Sequence, residues 1–176
     1  MVDIETLDTK PTAQVLSISA IGFNPFELTT DFSLNPKFDI LLSLEGQESR
    51  SINEQTILWW SNRSPEVQSK IFSDVGRLAV TEALDQLTKF CWLKANRIWC
   101  QGPTLDITVL TNLYEEYGKG VPWNYGNVRD SRILLDLVEV VQPEVTHISI
   151  EDCIRQCMGV QQAIKKLGIT KFTRNR

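Results

Sequence analysis

Long apolar runs are missing from this sequence. None of its hydrophobic stretches reaches the ~18 residues that a membrane-spanning helix needs. No basic segment followed by an apolar run, the pattern of a secretory signal peptide, is visible near its start. These two absences predict a cytoplasmic protein. Internal repeats and low-complexity segments are also missing, and the 42% hydrophobic and 23% charged residues are typical of a globular chain.

Cysteine is scarce, with only four residues in the chain. A chain of 176 residues can bury enough apolar surface for one domain, so it needs no disulfide framework. Cys153 and Cys157 are four residues apart and share one face of a helix, and with His147 they suggest a zinc site. No fourth ligand lies close by in sequence. Buried core thiols are therefore favoured over zinc.

Positive charge is in short supply, because the formal net charge is -4. This balance disfavours broad, non-specific binding to a phosphate backbone. The distribution is uneven, because the segment from Lys165 to the end has five basic residues and no acid: Lys165, Lys166, Lys171, Arg174 and Arg176. We therefore expect a single domain over residues 1–168 and a basic tail over residues 169–176. A solvated tail is favoured for this segment, and a nucleic-acid contact is the alternative.

Hydrophobic periodicity predicts an α/β fold that begins with three strands. The strands are expected over residues 2–5, 14–23 and 38–44, as an antiparallel meander. Later strands and helices alternate, which predicts a mixed central sheet flanked by helices. The later strands are expected over 97–101 and 127–130, and helices after Asn53, after Ser64 and over 77–94, 105–117, 131–141 and 147–167.

Two carboxylates in the first strand carry the first chemical signal. Asp3 and Glu5 are two residues apart, so a strand points both side chains to the same face. Like charges on one buried face repel each other and are costly to remove from water. A divalent cation is the commonest reason for such a pair. A solvated strand end is the alternative.

Two later segments add an aspartate each. Asp106 follows the strand at 97–101 and a Gly-Pro connection, at the expected start of a helix. His147 is the only histidine of the chain and precedes Asp152 by five residues. Each residue has a structural alternative: Asp106 as a helix cap, Asp152 as an exposed carboxylate, and His147 as a histidine bonded to the backbone.

The order of these motifs resembles a known family. Asp3-x-Glu5, then Asp106, then His147-x4-Asp152 is similar to the DEDDh exonucleases, the DnaQ-like 3'-5' exonucleases with an RNase H-like fold. The resemblance covers nearly the whole chain. Three further segments resemble the bacteriophage DexA-like and small bacterial subgroup: residues 57–60 (ILWW), 122–123 (PW) and 127–132 (NVRDSR).

The resemblance implies a role for each of these residues. Asp3, Glu5 and Asp152 would bind a first Mg2+ or Mn2+ ion, and Asp3 and Asp106 a second. His147 would activate the attacking water. The chemistry is consistent with these roles, because hard cations take oxygen ligands and two ions can stabilise the attacking and leaving oxygens together. A histidine titrates near neutrality and can accept the proton.

The implied substrate is a single-stranded 3' end, with DNA favoured and RNA as the alternative. We expect Thr6, Leu7 and Trp60 to contact it, with Leu7 wedged between the last two bases. Trp59 and Trp60 point about 100° apart on a helix, so one is expected in the core and one beside the site.

The family includes homodimers, so monomer and homodimer both stay open. The rival functions are a catalytically silent binding module on the same fold and a phosphatase-like hydrolase.

Overall fold

The computed structural model describes residues 1–173, apart from the side chains of residues 93 and 94. These residues form a mixed α/β fold. The strands are β1 Val2–Thr6, β2 Val15–Ile21, β3 Lys37–Leu41, β4 Ile98–Cys100 and β5 Val128–Asp130. The helices are α1 Glu54–Ser61, α2 Pro65–Ile71, α3 Val80–Lys94, α4 Asp106–Glu116, α5 Arg132–Leu135 and α6 Ser149–Lys166.

The first three strands form an antiparallel sheet in the order β1-β2-β3, which confirms the expected meander. Asp3 pairs with Ser19 and Glu5 pairs with Ser17, so one sheet face carries short polar and acidic side chains. Ile4 lies on the other face, in a buried apolar cluster that also includes residues of α3 and α4. The period of two thus separates the core from the acidic face.

The last two strands form a second, parallel sheet. One continuous mixed sheet was expected, and the structure corrects this point for the described residues. β4 contacts β1, but the ladder of strand hydrogen bonds stops between them. β4 and β5 have only three residues each, so they offer few backbone groups for a longer ladder.

Most helices lie where they were expected, with one clear exception. The helix expected over residues 131–141 is only α5, four residues long. The segment after it returns to α6 without helical structure, and Val141 exchanges two hydrogen bonds with the side chain of Gln162. At Val141, contacts with α6 therefore replace the backbone bonds that a continued helix would have made.

The four cysteines are free and buried, which confirms core thiols. Burial raises the pKa of Cys91 to about 11 and that of Cys157 to about 12. These thiols therefore stay protonated at neutral pH.

Part of the expected tail packs on the fold. The ring of Phe172 lies 4.8 Å from that of Phe26 and 6.1 Å from that of Trp99, measured between centroids. Aromatic burial thus opposes full solvation up to this residue. Arg174 and Arg176 lie outside the described residues. No helix in the described part of the chain is both long and apolar enough to cross a bilayer.

Candidate active site

The acidic face of β1 is covered by the first turn of α6. Ser149, the first residue of α6, shares hydrogen bonds with the hydroxyls of Ser17 at 2.9 Å and Ser19 at 2.8 Å. These two serines pair with Glu5 and Asp3 across the sheet. The small hydroxyl side chains of β2 therefore let α6 approach the strand that carries the carboxylates.

Asp152 organises the chain just before α6. Its two carboxylate oxygens accept hydrogen bonds from the backbone N–H groups of Thr146, at 3.2 Å, and His147, at 2.8 Å. Arg155 Nε donates a third bond at 3.2 Å. Asp152 is only 3% exposed, so it is not the solvated carboxylate considered as an alternative. His147 has a positive φ of 59°, a conformation that these bonds hold in place.

A tight turn after β4 brings in Asp106. Gly102 has a φ of 136°, which favours glycine, and its carbonyl accepts hydrogen bonds from the N–H groups of Leu105 and Asp106. Asp106 is the first residue of α4 and is buried. The start of α4 contacts β1, and the nearby backbone of Ile4 opposes the rise that burial causes in the pKa of Asp106.

These elements bring the predicted residues together. Asp3, Glu5, Asp106, Asp152 and His147 all line one cleft of about 340 Å³. Glu5, His147 and Asp152 can each offer one ligand atom, and these three atoms lie within 4.8 Å of one another. Residues as far apart in sequence as Asp3 and Asp152 therefore line one cleft.

Burial and mutual repulsion strongly perturb the carboxyl groups. Burial raises the pKa of Asp3 well above its ordinary value, and the negative charge of Asp106 raises it further. The pKa of Glu5 is also raised, first by burial and then by Asp3. Burial raises the pKa of Asp106 to about 7. The cleft concentrates more negative charge than its surroundings neutralise.

The donor set fits hard divalent cations. The oxygens of four carboxylates are the ligand type that Mg2+ and Mn2+ prefer. Gln156 Nε2 donates a hydrogen bond of 2.7 Å to Asp3 Oδ1. Gln156 Oε1 is buried in the same cleft and has no hydrogen-bond partner among the described residues. Water in the hydration shell of a cation would satisfy this oxygen.

We expect the metal-free protein to become less stable as the pH rises from about 5 to about 8. The folded state holds protons on Asp3, Glu5 and Asp106 at pH values where the unfolded chain has lost them. Each pH unit by which a pKa is raised corresponds to ~1.4 kcal/mol in the free energy of unfolding. A change of 1 kcal/mol shifts the Tm of a chain of this size by ~2–4 °C. A fall in Tm of at least ~5 °C follows from these values.

Calorimetry across this pH range, with and without Mg2+ or Mn2+, tests the expectation. Added cations should recover the lost Tm at high pH, because they replace the protons and bind the folded state. Asp106→Asn should flatten the pH dependence of the metal-free protein. A metal-free Tm that rises with pH would contradict this electrostatic description of the cleft.

Aromatic packing surrounds His147. The ring of Trp59 lies 4.6 Å from the imidazole in an edge-to-face arrangement. The guanidinium of Arg63 lies 4.4 Å from the Trp59 ring on which it packs. Burial lowers the pKa of His147, and the negative charge of Asp152 opposes this shift. The imidazole is therefore mainly neutral at neutral pH and can accept a proton.

The two tryptophans of α1 divide between core and site, and Trp60, which was expected to contact the substrate, is the buried one. Trp60 is 2% exposed, and its Nε1 donates a hydrogen bond of 2.9 Å to the carbonyl of Thr6. Trp59 is 36% exposed and contacts His147. Trp60 therefore supports β1, and Trp59 offers the more accessible ring.

A second cavity of about 450 Å³ adjoins the acidic cleft. Thr6, Trp59 and Trp60 line it, and it shares Glu5 with the cleft. Leu7 does not line it. This side chain is buried among Leu16, Trp60 and Ile71, because the register of β1 changes after Glu5. The expected wedge role of Leu7 is therefore corrected.

Sequence reasoning missed the residues that support the carboxylates. Arg155 is 7% exposed and donates to Asp152 and to the side-chain oxygens of Gln101 and Gln142. Gln156 supports Asp3. A usable signal existed, because Arg155 and Gln156 follow Asp152 by three and four residues and so lie on the same face of α6.

Comparison with known families gives a match along most of the chain. A family model described as "3'-5' exoribonuclease Rv2179c-like domain" matches residues 1–164. The chain belongs to this exonuclease family. The matched range includes all four carboxylates and His147. The expectation of an exonuclease is confirmed at the level of the family.

One curated relative of this chain is named for DNA and not for RNA. An exodeoxyribonuclease of Enterobacteria phage T4 is 25% identical over an alignment of 206 positions, gaps included, which covers 94% of this chain and 88% of that protein. The family description and this relative's name both denote an exonuclease. The family description refers to RNA, and the relative's name refers to DNA.

Proposed function

We propose that this protein is a metal-dependent 3'-5' exonuclease of the DEDDh class, with an RNase H-like fold. It hydrolyses single-stranded 3' ends and releases nucleoside 5'-monophosphates. The convergence of Asp3, Glu5, Asp106, Asp152 and His147 in one cleft carries this proposal. A silent binding module would have no need for this concentration of buried carboxylates.

The four carboxylates would hold the cations in this proposal. Two Mg2+ or Mn2+ ions held by Asp3, Glu5, Asp106 and Asp152 would neutralise charge on the phosphate and on the attacking and leaving oxygens. The rest of the chain keeps these ligands in place. Gln156 orients Asp3, and Arg155 together with two backbone N–H groups orients Asp152.

His147 is the proposed general base. A neutral imidazole at this position takes the proton from the attacking water. Its backbone is fixed by the bond from its N–H to Asp152, and its ring packs against the Trp59 ring. The first contact fixes the backbone that carries the side chain, and the second limits the rotation of the imidazole, which lies beside Glu5 and Asp152.

The second cavity is the proposed site of the terminal nucleoside. Trp59 supplies an aromatic surface on which a base of any sequence can stack. Thr6 lines the same cavity next to Glu5. The sugar of a nucleotide bound there would lie near polar groups, and the 2'-hydroxyl is what distinguishes RNA from DNA at such a site.

DNA is the substrate that we propose first. The phage relative, which aligns with nearly the whole chain, is named as an exodeoxyribonuclease. RNA is the second candidate, and the description of the matching family as exoribonuclease-like favours it.

Cleavage of labelled oligonucleotides tests the reaction and the sugar together. With Mn2+, 5'-labelled single-stranded DNA should give a ladder that shortens from the 3' end, faster than RNA of equal sequence. EDTA should stop the reaction and excess Mn2+ should restore it, because the carboxylates bind the cation reversibly. Faster shortening of the RNA would assign the second candidate. Binding without cleavage would support the silent module, and release of inorganic phosphate alone would support the phosphatase.

A further inference from the structure

Two arginines line the acidic cleft, and they differ in how much of each is free to bind. All three nitrogens of the Arg155 guanidinium are engaged, by Asp152, Gln101 and Gln142, and the residue is buried. The side chain of Arg132 is 49% exposed. Arg132 is therefore the cation that this cleft presents to solvent.

Arg132 is held in a defined position. Its Nε and NH2 donate to the two carboxylate oxygens of Asp130, at 3.1 Å and 2.8 Å. The guanidinium also lies against Gly102, where a Cβ would come within 3.6 Å of it. NH1 makes no hydrogen bond within the described chain. A fixed guanidinium with a free edge is the arrangement that binds phosphate with little loss of side-chain entropy.

The position of Arg132 selects one phosphate of the substrate. In the proposed function, cations held by the four carboxylates would bind the scissile phosphate, and the terminal nucleoside would occupy the cavity beside Trp59. Arg132 lines the acidic cleft, near Gly102 and Asp106, but not that second cavity. In this arrangement the strand would continue from the scissile phosphate away from the second cavity, toward the part of the cleft that Arg132 lines.

We propose that Arg132 binds the phosphate immediately 5' of the scissile bond and draws the strand into the acidic cleft. This inference rests on the exonuclease function proposed above. It identifies a cationic contact for a polyanion that must approach four carboxylates. Asp130 is the positioning residue for this contact, because its carboxylate fixes the guanidinium.

A pair of dinucleotides isolates this contact. NpN contains only the scissile phosphodiester, whereas pNpN of the same bases and sugar adds one phosphate on the 5' side. At saturating Mn2+, the wild-type protein should cleave pNpN with a kcat/KM roughly tenfold or more above that for NpN, the usual worth of a charge-assisted contact. Arg132→Gln should bring this ratio close to one, mainly through KM. Arg132→Lys should give an intermediate ratio, because lysine keeps the positive charge but lacks the planar guanidinium that donates two parallel hydrogen bonds.

Lys165→Gln is the matched control. It removes the same charge at the far end of α6, roughly 20 Å along the helix from Asp152. On a longer single strand, Arg132→Gln should reduce the slope of log kcat/KM against log salt by ~0.7, and Lys165→Gln should leave it unchanged.

Each other outcome overturns the inference. Equal losses on NpN and pNpN would place Arg132 at the scissile phosphate or in the fold alone, and an unchanged ratio would remove it from the substrate. If the wild-type protein shortens oligonucleotides from the 3' end without preferring pNpN, the proposed function stands and this inference fails. If the wild-type protein cleaves no oligonucleotide, the proposed function fails and this inference fails with it.

Discussion

Asp3→Asn is expected to lower turnover by at least ~10³-fold while raising the Tm of the metal-free protein at about pH 8. The loss follows because a neutral amide cannot replace a carboxylate that would ligate the cations of the proposed function. The gain follows because burial and the charge of Asp106 raise the pKa of Asp3, so that ionisation of this group destabilises the metal-free fold. The amide oxygen of Asn can still accept the bond from Gln156.

Two measurements separate this result from a folding defect. Cleavage of a labelled single strand at saturating Mn2+ gives the turnover, and calorimetry at about pH 8 without metal gives the Tm. Glu151→Gln is the matched control, because Glu151 lies next to Asp152 but is exposed and paired with Lys70. It should leave turnover nearly unchanged. Full activity of Asp3→Asn would rule out Asp3 as a metal ligand and would remove the proposed cation site.

His147→Asn is expected to lower kcat by roughly 10²–10⁴-fold, the usual contribution of a general base, with substrate binding retained. Asn tolerates the positive φ at this position better than Ala does, so the loop before α6 should keep its shape. The side chain of Asn cannot accept the proton of the attacking water at neutral pH. An unchanged kcat would show that the base lies elsewhere.

The pH profile gives a second test of His147. Burial lowers its pKa below the ordinary value of 6.5, so the base form is populated above that lowered pKa. At saturating metal, the wild-type kcat should rise with pH to that point and then level off, and His147→Asn should lose this rise. Because His147 is the only histidine of the chain, the Hε1 resonance of its imidazole in the untagged protein measures the pKa directly by NMR.

The local signals in the sequence were sufficient for most elements. The alternation in β2, the Asn53 cap of α1 and the Ser64-Pro65 start of α2 all appear where they were expected. These features depend on neighbouring residues, so periodicity and capping chemistry predict them. The helix expected over 131–141 was wrong beyond α5, because tertiary bonds to Gln162 replace local ones. Sequence periodicity carries no information about such partners.

The candidate site shows the same division. The five residues of the cleft were named from the sequence, because their order along the chain resembles that of a known exonuclease family. The spacing alone pointed only to the pair Asp3 and Glu5 and left Asp106 open as a helix cap. The exposed ring beside His147 is Trp59, and Leu7 lies in the core. The burial of Leu7 depends on a register change within β1, which the sequence did not show. The angle of about 100° between adjacent helical residues could not tell which of the two tryptophans would be exposed.

By itself, the sequence determined the strand and helix types, the core thiols and the identity of the acidic residues, because these follow from periodicity and side-chain chemistry within short windows. Only the tertiary structure decided that Arg155 and Gln156 support the carboxylates and that Arg132 stays exposed at the cleft. The physical reason is that hydrogen-bond partners and solvent exposure depend on which distant segments pack together. If Asp3, Glu5, Asp106 and Asp152 failed to bind a divalent cation in solution, this assembly would be a buried acidic cluster without a catalytic role.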